Sequence, residues 1–164
     1  QGLATVEMDP SFFASHFVSA LALEQMGELE KARTEFRVSA DLSGRWPLFV
    51  AGYGHACATA GDREEALRIV AELQDTSVRK YVSSFAVAAV YAGWQDRDLT
   101  LDWLEKAYDE RATWMIFLNV HPYFDFLRSE PRFQNLVRKI GLPNAATPGV
   151  PQKKESLMSR NSKR

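Results

Sequence analysis

The stretch AGDREEALRIV, Ala60 to Val70, decides how this chain is folded. Gly61 is a helix stop, and Asp62 with Glu65 has the spacing of a capping box that supplies acceptors to the first free N–H groups of a new helix. Downstream, Ala66, Leu67, Val70 and Leu73 form an apolar stripe that must pack against something. Upstream, Leu48 to Ala60 is rich in alanine and glycine and has the length of a short helix. The unit is therefore a helical hairpin. Two other stretches share its design: MGELEKARTEF at Met26 to Phe36 and WQDRDLTLDWL at Trp94 to Leu104. The three begin 34 residues apart in both steps.

A period of this length is the signature of a stacked repeat architecture. In the third unit Leu101, Leu104, Ala107 and Tyr108 renew the stripe. One hairpin cannot bury such faces alone, so neighbouring hairpins must stack. In register and residue type the three units resemble the tetratricopeptide repeat family, a helix-turn-helix of 34 residues. The family's small residue in the first helix corresponds to Ala20, Gly54 and Ala88, and the bulky residue three positions on to Leu23, Cys57 and Tyr91. The small residue early in the second helix corresponds to Ala32, Ala66 and Thr100, and the large apolar one four further to Phe36, Val70 and Leu104. The sequence departs from the family at His16, Val50 and Ser84, where an aromatic is usual, and at Gly44, where a proline closes the unit. The resemblance covers about Phe13 to Arg111. It implies an all-α fold, a right-handed solenoid of three such hairpins with a C-terminal capping segment.

That cap is read in ATWMIFLNVHPYFDFLRSEPRFQNLVRKIGLP, residues 112–143, where the period breaks. Trp114, Ile116, Phe117 and Leu118 suggest a short helix ended by His121-Pro122. Ser129, Glu130 and Pro131 read as the start of another, with Phe133, Leu136, Val137 and Ile140 on its apolar face and Gly141 as its stop. The segment is similar to the ends of repeat regions in bacterial multidomain regulators, including sensor-type kinases and transcription regulators, where text like FDPLRSDPRF follows the last hairpin. Residues 142–164 hold prolines, small polar residues and five cations against Glu155, the composition of a disordered basic tail. The expected organisation is an N-terminal extension or truncated upstream region over 1–10, the repeat domain with its cap over 11–141, and the tail over 142–164.

The bulk numbers agree with one packed domain. The 164 residues are 46% hydrophobic and carry a net charge of -1, with no basic excess to suggest nucleic acid. A single cysteine, Cys57, forms no internal disulfide, which fits a reducing cytoplasm. The longest apolar runs, such as Phe85 to Ala92, are far short of the roughly 20 residues of a membrane span.

Several side chains invite a chemical reading. His55 and Cys57 lie two apart on a helix and point about 200° away from each other, so they form no local nucleophile and base. Cys57 falls at a packing position, as a small buried residue. Gly52 and Gly54 lack the third glycine and the strand of a dinucleotide loop. His16, His55 and His121 are dispersed, with no second ligand at metal spacing. No carboxylate pair stands out as acid and base. The sequence thus names no catalytic residue, no metal ligand and no cofactor.

What the resemblance adds is a groove. By analogy the inward-facing residues are Phe17, Leu21 and Glu24 in the first unit, Leu48, Ala51 and His55 in the second, and Val82, Phe85 and Ala89 in the third. They are apolar or small, which suits an amphipathic helix or apolar segment better than an acidic peptide. His55 is either a groove contact or a structurally bonded histidine. The implied function is a protein-interaction module for a peptide or helix of a partner protein or of another domain of the same chain, and not an enzyme. The alternative is the regulatory or sensor C-terminal portion of a larger bacterial kinase or transcription regulator. Neither nucleic acid nor membrane is an expected partner.

Overall fold

A computed structural model describes residues 12–79 and 82–142, with side chains omitted over 76–79. The expected N-terminal extension and, apart from Leu142, the basic tail lie outside the described residues. All regular structure among the described residues is helical: α1 (Phe13–Gln25), α2 (Leu29–Leu42), α3 (Pro47–Thr59), α4 (Arg63–Arg79), α5 (Ser84–Gly93) and α6 (Arg97–Asp109) precede two 3-10 turns, Thr113–Phe117 and Pro122–Leu127, and α7 (Pro131–Ile140).

Each hairpin turn is built the same way, and the backbone repeats with the sequence. Gly27, Gly61 and Gln95, 34 apart, all have positive φ. One residue later the N–H groups of Glu28, Asp62 and Asp96 donate to the carbonyls of Leu23, Cys57 and Tyr91, the six-to-one bond of a Schellman stop. Asp62 and Asp96 then cap the next helices, accepting from Glu65 N at 3.2 Å and Leu99 N at 3.1 Å. Only half of the expected capping box forms. The Glu65 carboxylate turns to Arg68 instead of back to the cap, because a charged partner one turn along outcompetes a neutral N–H.

The two helices of each hairpin differ in character and therefore in place. In α3 every residue from Val50 to Ala58 is buried, as befits a helix that is apolar or small all round. The second helices are amphipathic and cover the first ones from one side. Contacts run between successive helices and also between α1 and α3 and between α3 and α5, so the first helices form an inner row. The shared register is visible in burial: Ala20, Ala88, Ala32, Ala66, Thr100, Phe36 and Leu104 are fully enclosed and Val70 nearly so. Filling Phe36 alone removes a side chain worth roughly 2–3 kcal/mol from water.

One stripe is corrected. Leu67 is 43% exposed and Ile69 is buried in its stead. The face of α4 is Ala66, Ile69, Val70 and Leu73, at spacings of three, one and three that keep within one arc, whereas Leu67 sits about 100° round from Ala66.

At Gly54 an added Cβ would come within 2.7 Å of Ile69 Cγ2 and 2.8 Å of Val90 Cγ2, so α3 lies close against both α4 and α5. Salt bridges tie the hairpins along their turns, Arg33 to Asp62 and Arg97 to Glu130, with Arg63 standing over the Trp94 ring between them. The C-terminal helix ends at Gly141, φ +77°, and packs Phe133, Leu136 and Val137 against α6.

Candidate functional site

The nine groove residues named from sequence lie on, or next to, the first helices of the three hairpins. Phe17, Leu21 and Glu24 lie on α1, Leu48, Ala51 and His55 on α3, and Phe85 and Ala89 on α5, with Val82 just before it. His55 joins the three helices: its Nδ1–H donates to the Ala89 carbonyl at 2.8 Å, and its Nε2 is 3.4 Å from Glu24 Oε1. Phe17 packs edge-on against Phe36 and Phe49.

Around His55 and Phe85 there is no open channel, however. The second 3-10 turn lies across them. Tyr123 stacks flat on His55, centroids 3.4 Å apart and planes within 11°. Phe124 meets Phe85 edge-on at 5.3 Å, and His121 packs beside both. Ala51, His55, Val82, Phe85 and Ala89 are buried, while Phe17, Leu21 and Leu48 remain half-buried. The physical reason is the composition of the face itself. Small and apolar side chains offer water little to bind, so the chain's own aromatic residues fill the space. The run HPYF, read from sequence as a helix stop, is the filler.

Beneath the turn sits a buried polar group of three residues. The Nδ1–H donation to Ala89 fixes the neutral His55 tautomer and leaves the Nε2 lone pair facing Glu24. Burial raises the Glu24 carboxyl to about 7, opposed by the Tyr123 hydroxyl that faces it. Burial also lowers His55 to about 4 and holds the Tyr123 phenol well above its ordinary range. Neither Glu24 oxygen nor the Tyr123 hydroxyl makes a hydrogen bond of regular geometry. Near neutral pH the imidazole is thus uncharged, and the carboxyl is divided between its two forms. The protonated acid is the one that suits a neutral ring and an apolar surround.

Elsewhere the chemistry is quiet. Cys57 is fully buried and its thiol is pushed up to about 11 by that burial, which leaves it protonated and unreactive. Among the described residues no group of three or more His, Cys, Asp or Glu is placed to hold a metal ion. No helix among them is long and apolar enough to cross a membrane.

One accessible feature is a slot of about 290 Å³ where the N-terminal ends of α3 and α5 meet the first 3-10 turn. Trp46 and Trp114 line it, with Leu48, Phe85 and Ala86 between. The two indoles are 64% and 40% exposed, a large apolar surface to leave in water. No protein-family model, no curated protein and no solved structure matches this chain. Trp46 follows Arg45, whose φ is +60° and whose guanidinium is tied to Asp41 and Glu72, so the indole stands on an anchored loop. Pro47 opens α3 directly behind it. Neither tryptophan is among the groove residues named from sequence. The available signal was a large aromatic placed immediately before a helix-starting proline, where packing seldom needs one.

Proposed function

We propose that the chain is a protein-interaction module: a tetratricopeptide-like, right-handed solenoid of three hairpins with a helical cap, which takes a peptide or helix of a partner protein or domain. The slot between Trp46 and Trp114 is the observation that carries this reading. Interfaces draw most of their energy from a few aromatic anchors, and tryptophan is foremost among them. Here the anchors sit on fixed backbone, so little order has to be gained when a partner arrives. The 34-residue register of buried positions and turn bonds supports the architectural half of the proposal. Binding centres on Leu48 and the two indoles, because the expected groove around His55 and Phe85 is occupied by Tyr123 and Phe124.

The test uses the folded chain as bait with Trp46→Ala and Trp114→Ala, singly and together. Both residues are exposed, so helicity by circular dichroism should stay at the wild-type value. A partner identified by cross-linking should lose at least tenfold in affinity for the double variant, on the order of 1.4 kcal/mol. Undiminished binding by that variant would remove the slot from consideration. Phe85 is unsuited to this purpose, since it is buried against Phe124 and a charge there would disturb the fold.

A further inference from the structure

The first 3-10 turn carries its bonding pattern past Phe117: Leu118 N donates to the Met115 carbonyl at 3.1 Å and Val120 N to the Phe117 carbonyl at 3.0 Å. With three residues per turn, side chains at i and i+3 fall on one line. Met115 and Leu118 make one such line, and both are buried. Trp114, Phe117 and Val120 make the next, and it lies toward solvent. They are 40%, 42% and 68% exposed, with the Trp114 and Phe117 rings 5.6 Å apart. Ile116, 55% exposed, flanks them. A segment that only caps a stack of hairpins turns a polar face outward. Here that polarity is inverted, because the one polar side chain in WMIFLNV, residues 114–120, is Asn119, and Asn119 is buried.

We propose that this stripe is a two-fold contact with a second copy of the chain. The area fits. Taking roughly 150–250 Å² for a whole side chain of this size, Trp114, Ile116, Phe117 and Val120 leave about 300–500 Å² of apolar surface in water. A standard interface buries about 800 Å² on each partner, about 65% of it apolar in homodimers, so the four residues supply the larger part of the apolar share. Charge fits as well. Residues 112–121 contain no Asp, Glu, Lys or Arg, so a partner chosen by charge finds nothing to read there, whereas two copies meet on this surface without like-charge repulsion. The net charge of -1 adds little repulsion at longer range. A two-fold contact is self-complementary, and the antiparallel crossing of the stripe places Phe117 on the axis and the Trp114 of each copy against the Val120 of the other. That register sets a large side chain opposite a small one, as well-packed layers do. The inference goes beyond the partner reading and does not rest on it: Ile116, Phe117 and Val120 lie outside the lining of the slot.

Sedimentation equilibrium of the full chain over a micromolar concentration series tests the contact. The expected result is a monomer–dimer equilibrium with nothing larger, because a two-fold contact closes on itself. Val120→Glu and Phe117→Glu should each raise the dissociation constant at least about tenfold, with helicity by circular dichroism unchanged. Trp114→Glu and Val120→Lys, each weakened alone, should recover the dimer when mixed, since the antiparallel register brings the two new charges together and keeps one native Trp114–Val120 pair. A monomer at every concentration, a mass that keeps growing, indifference to both glutamates, or no recovery in the mixture would overturn the proposal. Trp46→Ala removes an indole of the slot and should leave self-association as it was. Loss of the dimer in that variant, with Val120→Glu still dimeric, would place the contact at the slot and overturn the stripe. The dimer is thus read on Val120→Glu and partner affinity on Trp46→Ala, so the two proposals can fail separately.

Discussion

Glu24 carries the least comfortable group in the molecule, a carboxyl with little solvent and no hydrogen bond of regular geometry. Its carboxyl is raised from 4.5 to about 7, so folding favours the protonated form, and its contribution is full below pH 4.5 and lost as pH rises through about 7. His55 runs the other way. It is lowered from 6.5 to about 4, so its contribution is full above pH 6.5 and lost as pH falls through about 4. Between pH 4.5 and 6.5 the two slopes oppose each other, and the wild-type protein should show little net dependence from this pair. Glu24→Gln removes one slope. The stability of the variant minus that of the wild type should rise by up to about 3 kcal/mol between pH 4.5 and 7. Urea titrations of both proteins across that range would show it, and a pH-independent difference would mean that Glu24 is ionised throughout. His55 was visible from sequence as a position, and one of its two open readings, a structurally bonded histidine, describes what is seen. Glu24 was visible only as a groove residue, because its neighbours Tyr123 and His55 lie 99 and 31 residues away in the chain.

At the scale of elements, the turns were the most legible part, since a Schellman stop depends on local bonds and local φ. Gly27 and Gly61 adopt positive φ without penalty, whereas Gln95 does the same with a Cβ. Gln95→Gly should stabilise the protein by roughly 0.5–1 kcal/mol despite the looser unfolded chain, measured as a shift in the urea midpoint. The inner helices make a contrasting case. At Gly93 an added Cβ would lie 2.6 Å from the His55 carbonyl oxygen, which is backbone. At Gly54 the obstacles are the methyls of two β-branched side chains, Ile69 and Val90, which are stiff but are not backbone. Gly93→Ala should therefore cost more than Gly54→Ala, with about 1–3 kcal/mol expected for the milder collision; the reverse order in paired denaturation curves would refute this. Gly93 escaped notice in the sequence because nothing local marks it, the approach being made by α3. Leu67 was misplaced for a related reason. Hydrophobicity alone cannot phase a stripe when an isoleucine and a leucine two apart both qualify, and the helical angle decides between them.

For the whole molecule, the second 3-10 turn matters more than its six residues suggest. Through Tyr123 and Phe124 it touches Glu24 of the first hairpin, His55 of the second and Phe85 of the third. A stack of hairpins held only by nearest neighbours can fray from an end, whereas a clasp across all three couples them. Tyr123→Ala should destabilise the fold by about 3–5 kcal/mol. In native-state hydrogen exchange it should also lower the protection of α1 and α2 more than that of α5 and α6. Uniform loss of protection would show that the turn stabilises without coupling. The all-helical class could be read in advance because a 34-residue period leaves few alternatives. The covering of the groove could not, since it depends on where a non-repeating segment returns. That late return also has a meaning for synthesis. Phe124 is made 39 residues after Phe85, about 2–8 s at ribosomal rates of 5–20 residues per second. During that interval the nascent hairpins show an uncovered apolar flank, and it is then, more than in the finished protein, that a chaperone has something to hold.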